Sequence, residues 1–169
     1  MGLFDRFKKQ PKASVTEPAG TVLAPVDGRV VELDQVSDKV FSSGALGKGC
    51  GFDPAGDTLY APVSGEVTAI GGPNYHVVGI SGDNGAEVLV HVGVDTFDLK
   101  GDGFDAKVAQ GAHVSAGDPL LGFSREKIVA AGLDPVVLMV LTNSDDLASV
   151  GLAATGEVAH GDRALIYEK

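Results

Sequence analysis

NYHVVGISGDNGAEVLVHVGVDT, residues 74–96, decides how this chain folds. Two apolar runs, 77–80 and 88–92, flank the turn-forming cluster Ser81-Gly-Asp-Asn-Gly85, the pattern of a β-hairpin with a tight turn. Each arm carries a histidine, His76 and His91. With Asp83-Asn84 as a two-residue turn the histidines lie directly opposite; with Asn84-Gly85 they lie diagonally. Either turn puts both imidazoles on one face, with Cβ atoms roughly 4.5–8 Å apart. A three-residue loop places them on opposite faces. On a shared face they are expected among Val78, Ile80 and Leu89. A single strand histidine is ordinarily a satisfied structural residue, but two convergent imidazoles in an apolar rim suit metal binding, proton transfer or phosphoryl transfer.

The rest of the chain is consistent with one compact domain of 169 residues. Glycine is abundant (24 residues), aromatics are few (6 %) and long helical periodicities are hard to find, so the sequence predicts an all-β domain rich in turns. Cys50 stands alone, which excludes an internal disulfide, fits a reducing compartment and predicts a buried, inert thiol. The net charge of −10 disfavours nucleic acid and favours basic protein partners. No apolar run approaches the ~18–20 residues needed to span a bilayer, and no secretory leader is visible, so a soluble cytoplasmic protein is expected. Residues 1–9, MGLFDRFKK, space Leu3, Phe4 and Phe7 helically among basic residues. They read either as a peripheral membrane-surface helix or as a frayed tail, followed by a linker over residues 10–20.

An internal echo organises the chain around the hairpin. Ala24-Pro-Val-Asp-Gly-Arg-Val30 and Ala61-Pro-Val-Ser-Gly-Glu-Val67 share the pattern A-P-V-x-G-x-V. Each predicts a turn feeding a strand, over 29–33 and 66–70, as in a sandwich built from two similar halves. Between them, Val36, Asp38, Val40 and Phe41 lie in a loop. Ser124 as N-cap and Gly132 as stop predict the best helix, residues 136–142 a buried strand, and residues 144–150 a short helical turn. His113 and His160 read as surface and turn residues.

The segment GAEVLVHVGVDTF, residues 85–97, resembles the phosphorylation-site signature of glucose-class enzyme IIA (EIIA) of the bacterial phosphoenolpyruvate-dependent sugar phosphotransferase system. The opening MGLFD, both A-P-V-x-G-x-V units, Asn74-Tyr-His76, the run VDTFDLKGDGF at 94–104 and the turn at 114–118 are similar too, so essentially the whole chain is covered. Two positions depart. Phe97 follows Thr96 where the signature usually has Val or Ala, and Asn74 stands where Thr is common. Gly79 and Leu89 occupy positions where some relatives carry Phe.

The resemblance implies an antiparallel β-sandwich of duplicated halves with short helices, an EIIA domain over residues 21–169 behind a tail of residues 1–20, and a phosphotransferase acting in sugar uptake. His91 is then expected to accept a phosphoryl group on Nε2 from the phosphorylated histidine-phosphocarrier protein and to pass it to a cysteine of a IIB domain of the IIB/IIC permease. His76 is expected to assist, and Asp38 and Asp95 to attract a cationic donor residue; Asn74, Val40, Phe41, Val78 and Leu89 complete the expected rim. The protein is expected to be a monomer with no obligatory cofactor. His76 and His91 offer two zinc ligands, short of what zinc needs, so Zn²⁺ is expected only in complex with a regulatory partner. The alternatives are a purely regulatory binding module and a zinc peptidase on a related sandwich. The latter wants a His-x-His pair, which His91-Val-Gly93 lacks. A biotin or lipoyl carrier needs an exposed hairpin lysine that is missing here.

Overall fold

The computed structural model describes residues 17–71 and 75–169. Their strands are β1 (Thr21–Leu23), β2 (Gly28–Glu32), β3 (Lys48–Pro54), β4 (Thr58–Tyr60), β5 (Gly65–Ile70), β6 (Val77–Gly82), β7 (Glu87–Val92), β8 (Phe104–Ala106), β9 (His113–Val114), β10 (Pro119–Phe123), β11 (Val137–Leu141), β12 (Ser149–Leu152), β13 (Glu157–Val158) and β14 (Arg163–Glu168). Their only α-helices are α1 (Lys39–Ser42) and α2 (Arg125–Ala130). Eight strands form one sheet in the order β13-β2-β3-β11-β7-β6-β5-β9, and two three-stranded sheets, β1-β14-β12 and β4-β10-β8, complete the molecule. The strand pairs are antiparallel. This is the β-sandwich the sequence predicts.

Alternation along the strands builds two apolar layers. Val78, Ile80, Val88, Val90, Val92 and Met139 point into the sandwich with Phe52, Leu120 and Leu165. The opposite face of the same strands carries a second cluster, Val36, Phe41, Val136, Leu138 and Val140, with Leu89 and Val94 packed against it. A sheet apolar on both faces must be covered on both, and α1 with the loop before it covers the second. Cys50 is fully buried in the first cluster, and burial pushes its thiol up to about 12.

The two A-P-V-x-G-x-V units are related by an approximate twofold. Leu23 N–H donates to the Pro62 carbonyl (2.9 Å), and Tyr60 N–H donates to the Pro25 carbonyl (2.7 Å). The alanine at the head of each unit exchanges both main-chain bonds with a Gly-Asp turn: Ala24 with Gly161-Asp162, Ala61 with Gly117-Asp118. Each turn is closed by its own aspartate, which accepts from Ser115 N–H in one half and Ala159 N–H in the other, both at 2.9 Å. The repeat thus includes the turns at 114–118 and 158–162 as well as the strands β2 and β5.

Two expectations need correction. The hairpin closes with three residues, Asp83-Asn84-Gly85, because Gly85 takes φ +99°, and Val77 rather than His76 stands opposite His91. A third residue in the left-handed region is the usual solution for a loop of this length. Residues 10–20 are not linker throughout: Glu17 is buried and accepts from Ser64 N–H (3.0 Å) and the Asn84 amide (3.4 Å), so the chain is pinned before β1 begins. Residues 1–16, with the amphipathic stretch, lie outside the described residues. Among those described, no helix is long and apolar enough to cross a membrane.

Candidate functional site

His91 is the penultimate residue of β7 and faces the second apolar layer. Across the ladder it stands between Val77 of β6 and Leu138 of β11, and Leu138 is fully buried. The Phe41 ring lies against it, centroids 5.3 Å apart and planes tilted by 58°. This apolar seat holds the imidazole below its ordinary pKa of 6.5, first by burial and then by the neighbouring His76; the Gly93 carbonyl and the charges of Asp38 and Asp95 act in the opposite sense. His91 is therefore mainly neutral at pH 7 and keeps a ring lone pair. Its Nδ1 is buried.

His76 reaches the same place by a different route. In this register strict alternation sends it to the sandwich interior, opposite Val92, as the three-residue loop demands. Alternation, however, ends at Val77. Tyr75 takes φ +53°, uncommon for a residue with a Cβ, and its N–H closes a turn onto the Gly71 carbonyl (3.0 Å). The His76 main chain is tied to the ladder by Val92 N–H (2.8 Å), while its ring meets His91 edge to face, centroids 4.8 Å apart at 88°. The convergence is real, and the strand end produces it rather than the turn.

The expected rim divides. Phe41 is buried beside His91, Val40 is 53 % exposed next to it, and Leu89 lies two residues before His91 on the same face. Val78 does not belong to the rim: it is fully buried in the sandwich core, because residues two apart share a face and Val78 follows Val77. Ile80 is in the core for the same reason. Asn74 lies outside the described residues. Asp38 caps α1, its Oδ1 accepting from Val40 N–H (2.9 Å) and Phe41 N–H (3.2 Å). Asp95 is exposed at φ +61° before a short 3-10 turn, Thr96–Leu99. Behind it Thr96, wholly buried, donates its hydroxyl to the Val92 carbonyl.

Sequence reasoning passed over Val77 and Leu138, which flank His91 in the ladder. Phe97, two residues after Asp95, is 54 % exposed, as bare as Val40 at 53 %. A large apolar residue two positions after an acidic loop residue was the available signal. His113 pairs with Asp83 (2.8 Å) on the surface. His160 stacks on Tyr60 (centroids 3.7 Å) and holds Asp27 at 2.8 Å, so it is structural, as expected. Among the described residues no three histidine, cysteine or acidic side chains are arranged to hold a metal.

The geometry therefore offers a neutral, partly sheltered imidazole with a second imidazole against it, in a shallow apolar seat flanked by carboxylates. The model of the family "phosphoenolpyruvate-dependent sugar phosphotransferase system, EIIA 1" matches residues 20–147, a span that contains both histidines. This chain belongs to that family. The glucose-specific EIIA component of Halalkalibacterium halodurans is 34 % identical over 167 residues, covering 99 % of this chain and 96 % of that one. The β-glucoside-specific EIIBCA component of the same organism is 41 % identical over 144 residues; the match takes in 85 % of this chain but 22 % of that much longer protein. The solved glucose permease IIA of Mycoplasma capricolum superposes with a TM-score of 0.79 at 35 % identity, over 86 % of this chain and 94 % of that one. The EIIA relationship thus rests on sequence and on three-dimensional structure alike.

Proposed function

We propose that His91 carries the phosphoryl group, accepting it on Nε2 from the phosphorylated histidine-phosphocarrier protein and passing it to a cysteine of a sugar-specific IIB domain in the cytoplasm. The supporting observation is the edge-to-face contact of His76 with a largely neutral His91 whose Nδ1 is buried. In the first step the donor's P–N bond breaks as a bond to His91 Nε2 forms; in the second the cysteine sulfur takes the phosphorus and returns the lone pair to His91. Such transfer asks for positioning and charge stabilisation more than for covalent chemistry. The strand ladder fixes His91, and His76 supplies an N–H to the phosphoryl oxygens. Val40 and Phe97 give a protein partner apolar contact, and Asp38 and Asp95 attract its cationic groups. Relatives in which EIIA is joined to EIIB and EIIC support the IIB/IIC permease as recipient.

Incubation with phosphoenolpyruvate and the two general phosphotransferases tests this. His91→Gln abolishes acid-labile phosphate uptake, whereas His76→Gln accepts phosphate but transfers it poorly. Acid-labile label persisting in His91→Gln overturns the assignment. A regulatory role is compatible with the same residues, since phosphorylation changes the charge and bulk of this surface.

A further inference from the structure

We propose that Asp134 is a positioning residue that ties together the two loops carrying Asp38 and Asp95, so that both carboxylates are held towards His91. This rests on the phosphocarrier role proposed above. Three bonds converge on Asp134. Its Oδ2 accepts from the Ser37 hydroxyl (3.1 Å), its Oδ1 from Val136 N–H (3.0 Å), and its main-chain carbonyl from Val94 N–H (2.9 Å). Ser37 immediately precedes Asp38 and lies 97 residues from Asp134; Val94 immediately precedes Asp95. The approach to the His91 strand is close: Gly93 N–H donates to the Val136 carbonyl at 2.7 Å, and a Cβ at Gly93 meets the Asp134 carbonyl oxygen at 3.1 Å.

Neither acidic loop is fixed by its own strand. Asp38 follows a 3-10 turn and caps the four-residue α1, and Asp95 sits in a left-handed conformation after the end of β7. Short helices and strand-end turns are marginal without tertiary support. The link through Asp134 supplies that support from the segment just before β11, which with β7 forms the middle of the eight-stranded sheet. The residue's side chain is exposed and touches no reacting atom, so its effect on transfer runs through the placement of Asp38 and Asp95.

Comparing Asp134→Ala, Asp134→Asn, Ser37→Ala and the Ser37→Ala/Asp134→Ala double variant tests this. Asparagine keeps an acceptor for Val136 N–H and a polar group for the Ser37 hydroxyl while removing the charge. With phosphorylated histidine-phosphocarrier protein as donor, Asp134→Ala raises the KM for the donor several-fold, roughly tenfold at most as befits one hydrogen bond, with kcat little changed. Asp134→Asn restores most of the loss, Ser37→Ala reproduces part of it, and the double variant is no worse than Asp134→Ala. Hydrogen exchange supplies a second measurement that needs no donor. Protection of Val40 and Phe41 N–H, which depend on the Asp38 carboxylate, falls in Asp134→Ala and returns in Asp134→Asn. An Asp134→Asn variant as impaired as Asp134→Ala, or unchanged exchange at Val40 and Phe41, overturns the positioning role. Should the wild-type protein accept no phosphate, the phosphocarrier role fails instead, and the exchange result still decides whether Asp134 holds the loops.

Discussion

At the scale of single residues, the phosphoryl transfer proposed for His91 depends on its being buried enough to stay neutral. Because its folded-state pKa lies below the ordinary 6.5, the unfolded chain binds the proton more readily. Stability is then intact above pH 6.5 and declines as pH falls from 6.5 through the lowered folded value. Urea midpoints at pH 7.5 and 5.5 should show a smaller decline for His91→Gln than for the wild type; equal declines would mean the imidazole is not sheltered. Zinc is a second test of the pair. Weak binding by the isolated protein is expected in calorimetry, weaker still in His91→Gln, since two imidazoles alone lack the third ligand that zinc needs. Tight binding undiminished by that substitution would place a metal at another site. The pair was legible in the sequence because imidazoles beside valines on adjoining strands are unusual. The route by which they meet was not, because alternation stops at the start of β6, where a left-handed Tyr75 precedes His76, and nothing about a tyrosine signals φ +53°.

At the scale of elements, α1 is the piece that sequence patterning missed. Four residues, KVFS, are too few for helical periodicity to register, and the stretch reads as a loop. Its cap is nonetheless written in the chain: Asp38 precedes Lys39 and accepts from the N–H groups of Val40 and Phe41. Asp38 therefore has two roles, cap and charge, which substitutions can separate. Asp38→Asn keeps the cap and should retain near wild-type stability while losing donor attraction, seen as a raised KM with a weakened salt dependence. Asp38→Ala loses both, and thermal melts should show an additional destabilisation of about 1 kcal/mol. If the two variants melt together, the cap contributes nothing and Phe41 is held against His91 by packing alone. Helix α2, by contrast, was readable from both ends. Ser124 Oγ accepts from Lys127 N–H (3.1 Å) and Gly132 takes φ +79°, because its cap and stop residues are those whose chemistry is local.

At the scale of the whole molecule, the approximate twofold explains why so little regular helix suffices. Each half closes its A-P-V-x-G-x-V strand with a Gly-Asp turn from a distant part of the chain, and Leu23 and Tyr60 cross-link the halves through Pro62 and Pro25. The A-P-V-x-G-x-V echo was visible because proline and glycine are needed at fixed places in both copies. The partner turns were only half visible, since His160 in one copy replaces Ala116 in the other. The start of β12 reads as the end of a helical turn because Ser149–Leu152 is an edge strand with weak alternation. Symmetry makes a prediction that no single site makes. Asp118 and Asp162 accept equivalent main-chain bonds at 2.9 Å, but Asp118 is half-buried and Asp162 exposed, so the N–H left unpaired on truncation is less readily solvated in the first half. Asp118→Ala should therefore lower the urea midpoint more than Asp162→Ala, by a difference of about 1 kcal/mol at constant m-value. Phosphate uptake at His91 should persist in both, since neither turn adjoins β7 in the sheet. Equal losses would show that solvent reaches both turns alike, and a larger loss at Asp162 that the half closed by the C-terminal turn is the more tightly packed of the two.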